Sequence, residues 1–175
     1  MASTRQLEEQ LPPSAPPIPD GDYATRKIAI YTTLSLDATQ LKQLEQDLRD
    51  ADDISDTPVT QLAPQPFSEN LLDIYNHHLQ MDSQDSPYHP RCFIVADQND
   101  WKEKGVLFVN LAADTEQRES FVGVCRCDLE MATQIEANLD IGNMDWVDYK
   151  EMEENDFGGE NPYKNPRYYP LDPTA

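Results

Sequence analysis

The sequence predicts an α+β domain: a small mixed or antiparallel sheet of about four strands, with helices packed mainly on one face. Three observations carry this. The runs KIAIYTT, RCFIVAD, VLFVNL and SFVGVCRCD have strand length, β-branched or aromatic content and turn residues at their borders. Residues 37–51, 68–79 and 128–139 repeat their apolar residues at the helical period. The element order is strand, helix, helix, three strands, helix, helix. The long two-helix connection lets the first strand lie beside a later one, and the short later turns favour an antiparallel meander.

Residues 1–25 are expected to form a disordered, proline-rich arm. Pro12, Pro13, Pro16, Pro17 and Pro19 favour extended polyproline II backbone. Pro13 and Pro16 have PxxP spacing, but that spacing is common and a flexible leader is the simpler expectation. A single α+β domain is expected over residues 26–157. It opens at Lys27 with a strand that places Ile28 and Ile30 on one face. Asp37 can then cap a helix, with Gln40 completing a capping box and Leu36 and Leu41 at staple spacing. Leu41, Leu44, Leu48 and Ala51 form its inward stripe. Residues 52–67 read as a loop. Ser68 is the expected cap of the next helix, with Leu71, Leu72, Tyr75 and Leu79 inward, and Pro87 and Pro90 end it.

RCFIVAD and VLFVNL are continuous apolar runs, as in strands covered on both faces. DQNDWKEKG and ADTEQRE separate them from each other and from SFVGVCRCD as polar turns. Asp128 can cap a helix to about Leu139 with Leu129, Ala132, Ile135 and Leu139 inward, and Asn143 can cap a last helix, MDWVDYKEMEE. Residues 158–175 form an irregular proline/tyrosine-rich tail whose tyrosines can pack back on the domain.

Charge narrows the function classes. Thirteen Lys and Arg face thirty-three Asp and Glu in 175 residues, a formal net charge of −20. Such a field repels nucleic acid and anionic membrane and attracts basic partners. No apolar run approaches the ~20 residues that span a bilayer, and no secretory or mitochondrial leader is recognisable. Three cysteines, an odd number, fit a reducing compartment. A soluble, cytoplasmic protein without nucleic-acid or membrane partners is therefore expected; its oligomeric state is not legible.

The succession of a strand ending in VAD, then VLFVNL, then ANLDIGNMDWVDY resembles an uncharacterised family of small domains of unknown function with actinobacterial and fungal members. The match covers about residues 92–149, and Asn138 to Trp146 is its most specific part. The resemblance implies a common fold and supplies no catalytic residues.

Few constellations point to chemistry. Phosphate-cradling glycines, G-x-S-x-G and H-E-x-x-H are all missing. His77, His78, His89 and Cys92 are transition-metal ligand types, but their spacing matches no named zinc motif, so no metal and no cofactor are expected. Cys92 with His89 or His78 is a possible nucleophile pair. Cys125 and Cys127 share one strand face, where two small buried hydrophobes are the simpler expectation. Near the C-terminus, acids interleave with aromatics. They lack the ligand alternation of a calcium loop, but they suit a basic partner: Asp145, Asp148 and Glu151 steer it while Trp146 and Tyr149 anchor it. The expected function is thus a non-catalytic, acidic protein-binding domain that engages a basic protein, in the manner of an antitoxin or chaperone. The alternative is a small enzyme with a Cys/His site near His78, His89 and Cys92. Acidity serving solubility alone is the third option.

Overall fold

A computed structural model of the chain describes residues 2–81 and 85–170. Part of the expected break at 81–90 and the last five residues of the expected tail lie outside the described residues. The centre is a five-stranded mixed sheet, ordered β2-β1-β3-β4-β5. Its strands are β1 (Lys27–Thr32), β2 (Thr60–Leu62), β3 (Tyr88–Ala96), β4 (Val106–Thr115) and β5 (Arg118–Cys127). β2, β1 and β3 run parallel, and β3, β4 and β5 form the antiparallel meander. The α+β class holds, and the fifth strand is β2. Three residues long and surrounded by prolines, β2 has no period of its own and falls in the stretch expected to be a loop.

The helices are α1 (Thr4–Glu9), α2 (Ala38–Ala51), α3 (Leu71–Gln80), the short α4 (Trp101–Lys104), α5 (Leu129–Asp140) and α6 (Trp146–Phe157). From β1 the chain crosses to β2 on one side, then returns past β1 to β3. Right-handed crossovers in opposite directions put their helices on opposite faces. Accordingly Leu44 and Leu48 of α2 share a core with Ala132 and Ile135 of α5 and Trp146 and Tyr149 of α6. Leu71, Ile74 and Tyr75 of α3 pack on the other face with Ala29, Tyr31, Phe93 and Val95. Three of the four long helices therefore lie on one face.

Local chemistry explains most boundaries. Asp37 and Gln40 form the capping box of α2, with Asp37 Oδ1 accepting from the N–H of Thr39 and Gln40 at 2.8 and 2.9 Å. Asp128 accepts from Met131 N–H at 2.7 Å. Two expected caps shift by two residues. Asn70, not Ser68, caps α3 through Asp73 N–H at 2.8 Å. α6 is preceded by Asp145, not Asn143, with Asp148 accepting from Asp145 N–H at 2.8 Å. The α3 stripe also turns: Leu72 is exposed, whereas Ile74 and His78 are buried.

Part of the segment expected to be a disordered arm is structured. Ser3 and Gln6 form a capping box for α1, and Leu11 is buried beside β3, β4 and β5. The reason lies in the outer edge of β5, whose unpaired backbone groups need partners. Glu8 accepts from Val124 N–H at 3.0 Å, and Lys150 donates to Val124 C=O at 2.8 Å. Pro13 C=O accepts from Val122 N–H at 3.0 Å, and Arg167 donates to Val122 C=O at 3.0 Å. Tyr168 packs back into the core, fully buried, as the tail's tyrosines can do. Within the sheet, Gly123 leaves the space that the Trp146 indole fills: a Cβ there would stand 2.5 Å from Cζ2.

Candidate functional site

The five residues proposed as a partner surface separate into two groups. Trp146 and Tyr149 are buried in the core, 0% and 1% exposed, so neither ring can anchor a partner in this fold. Asp145 and Asp148 are exposed, and Glu151 is half-buried and accepts from the Tyr163 hydroxyl at 2.7 Å. The physical reason is the helical period. Positions 146, 149, 150 and 153 lie on one face, and that face meets β5. Interleaving in sequence therefore placed the aromatics inward and most of the acids outward.

The Cys/His group separates as well, because α3 and α5 cover opposite faces of the sheet. His78 is on the α3 side, buried, 4.7 Å ring to ring from Phe93. It donates from Nε2 to His89 C=O at 3.2 Å and accepts at Nδ1 from the Tyr31 hydroxyl at 3.0 Å. Burial pushes its pKa down to about 4 and so keeps this neutral tautomer. His89 and Cys92 stand together across the sheet from it, with Cys92 Sγ 3.5 Å from His89 Nδ1. Their third companion comes from α5: Glu136 Oε1 lies 3.2 Å from His89 Nε2. No sequence spacing marks Glu136, since only the packing of α5 on the sheet brings it there.

Burial shifts all three groups of this cluster towards their neutral forms. Burial, then the nearby Arg91 and Arg26, lower the His89 pKa to about 4. Burial raises Glu136 above the ordinary carboxylate range. Burial and Glu136 hold the Cys92 thiol well above its ordinary value. A nucleophilic cysteine needs a lowered pKa and access. Cys92, 0% exposed, has neither. Cys125 and Cys127 are buried in the same core, and burial raises both thiols.

His89 and Glu136 border a cavity of about 530 Å³ at the end of the sheet where β1 and β3 begin. Its walls are residues 21–28, Thr57 and Val59 ahead of β2, His89 and Arg91 of β3, and the α5 face carrying Thr133, Glu136, Ala137 and Asp140. Tyr23 organises the rim. Its ring meets His89 edge-on at 5.6 Å, and the Arg26 and Arg91 guanidiniums lie 5.1 and 5.4 Å from its centroid. Lys27 donates to Pro58 C=O. Parallel sheets usually hold ligands at the carboxyl ends of their strands. Here that end has a hollow of about 110 Å³ beside Thr32–Leu36 and Phe67, and a cavity of about 490 Å³ lined by Gln98, Lys104 and Arg126.

Three cations, Arg26, Lys27 and Arg91, and three carboxylates, Asp22, Glu136 and Asp140, line the larger cavity. That local balance contrasts with the −20 of the whole chain. Among the described residues, no helix is long and apolar enough to cross a membrane.

No curated protein and no solved structure matches the chain significantly. A family model does match, over residues 34–158, well beyond both ends of the 92–149 stretch on which the resemblance rested. The chain belongs to the family described as Domain of unknown function (DUF6924).

Proposed function

We propose that this chain is a small-molecule-binding domain whose ligand carries an anionic group and seats in the cavity between residues 21–28 and α5. One observation carries the proposal. In a strongly acidic chain, Arg26, Lys27 and Arg91 converge with His89 on one cavity of about 530 Å³. That volume lies within the ~300–1,000 Å³ of small-molecule sites. Arginine suits carboxylate or phosphate because its planar fork donates two parallel hydrogen bonds. Tyr23 offers an aromatic edge, and Asp22 and Asp140 can accept from donor groups on the same ligand. The buried, high-pKa thiol supports binding over nucleophilic catalysis. Thermal shifts with phosphate, phosphate monoesters and small mono- and dicarboxylates test the proposal. At least one anion is expected to raise the melting temperature saturably, and Arg91→Ala is expected to abolish the effect. An anion effect that persists in Arg91→Ala contradicts it.

A second reading, an acidic surface that engages a basic protein, keeps support from the outward acids Asp145 and Asp148 and from the net charge. It no longer includes the aromatic anchors. Capture from native cells at low and high salt tests it. A basic partner lost in salt, and lost with Asp145→Lys and Asp148→Lys, supports this reading; capture that ignores both changes rules this surface out.

A further inference from the structure

We propose that His89, Cys92 and Glu136 form a divalent transition-metal site of zinc type, with the remaining coordination position facing the cavity. One ligand atom from each of the three residues lies within 4.8 Å of the others. Zinc bond lengths of about 2.0–2.3 Å set tetrahedral ligand–ligand edges of roughly 3.3–3.6 Å. Closing the triangle thus needs movements of about 1 Å, within reach of side-chain rotation. Three protein ligands with one open position is the arrangement of catalytic rather than structural zinc. Cysteine, histidine and glutamate together favour zinc or a similar ion over magnesium or calcium, which prefer all-oxygen shells.

The charges balance. The thiol loses its proton to solvent when the metal binds. Thiolate and carboxylate, the latter freed of any proton it holds, then carry two negative charges against the ion's two positive charges, so the filled site is neutral. The neighbouring guanidiniums of Arg26 and Arg91 lie beside the Tyr23 ring, and Asp140 on the same cavity wall offsets part of their field. An ion can enter where His89 and Glu136 border the cavity, while Cys92, fully buried, closes the inner side. Sequence spacing argued against zinc because it had only the histidines and cysteines to count; the third donor arrives from α5. The inference does not need the anionic ligand, and each proposal can fail alone.

Cobalt(II) titrated into the full chain, dialysed free of metal and kept reduced, tests it. The expected result is one equivalent bound, with a thiolate-to-cobalt charge-transfer band in the near ultraviolet and the visible bands of a four-coordinate ion. Cys92→Ser should remove the charge-transfer band, and His89→Ala and Glu136→Gln should each weaken binding by at least about tenfold. Glu136→Gln conserves size at a half-buried position, so it decides the matter should Cys92→Ser not fold. Absence of the band at stoichiometric cobalt overturns the site. So does a band that survives Cys92→Ser, which would point to Cys125 or Cys127, or unchanged affinity in Glu136→Gln.

Discussion

Glu8 accepts the backbone N–H of Val124 at 3.0 Å, joining groups 116 positions apart in the chain. The same carboxylate accepts from Asn165 Nδ2 at 3.0 Å and from the Tyr168 hydroxyl. On the other side of Val124, Lys150 donates to the carbonyl and pairs with Glu153. Chain segments from both ends of the sequence thereby cover the open edge of β5. An uncovered edge would offer a template for pairing with another chain.

Replacing Glu8 should therefore act at a distance. Glu8→Ala leaves a buried N–H and a buried hydroxyl short of partners and should cost about 1–3 kcal/mol for each group left unsatisfied. Removing residues 2–14 should also bare the edge and produce self-association visible by sedimentation. A truncated protein that stays monomeric with unchanged denaturant stability would mean that the edge needs no cover.

The Trp146 indole and Gly123 are expected to fail together. Trp146→Ala should cost ~3–5 kcal/mol by emptying the core beneath α6. Gly123→Ala should cost about 1–3 kcal/mol by overpacking the same contact from the opposite side. Urea unfolding of each variant checks both. A folded, stable Trp146→Ala protein that loses a binding partner would instead restore the ring as a surface anchor.

Acid should weaken the fold through its two buried imidazoles. His78 and His89 each have a pKa near 4 when folded, against an ordinary 6.5. Below about pH 6.5 the unfolded chain binds protons that the fold refuses, so stability present above that pH is lost as pH falls towards 4. Glu136, raised by burial, works in the opposite direction. The His78 share is isolated by comparing chemical denaturation of the parent and His78→Gln between pH 4 and 7. The variant should show the shallower slope; equal slopes would place the His78 titration at its unfolded value.

Much of the fold was legible because short-range chemistry wrote it. The Asp37–Gln40 box, the Leu44–Leu48 stripe and the apolar runs of β3, β4 and β5 are local signals, and the structure keeps them. α1 and β2 were not legible, because each is stabilised by distant parts of the chain rather than by its own period. The candidate site was half legible. His89 and Cys92 stand out by residue type, but His78 belongs to the other sheet face, and Glu136 reads as one more acid on a helix until α5 is packed. Trp146 and Tyr149 show the opposite case: aromatics among acids look like a surface until the helical face is assigned.

The cavity at the start of β1 and β3 is where the proposed anionic ligand seats. Amide chemical-shift mapping, with nitrogen-15 labelled protein and the most stabilising anion of the thermal screen, tests it most directly. Saturable shifts are expected at residues 21–28, His89, Arg91 and 133–141 alone, and Arg91→Ala is expected to remove them. Shifts centred on α6 or on the β5 edge, or none at any of these positions, would contradict it.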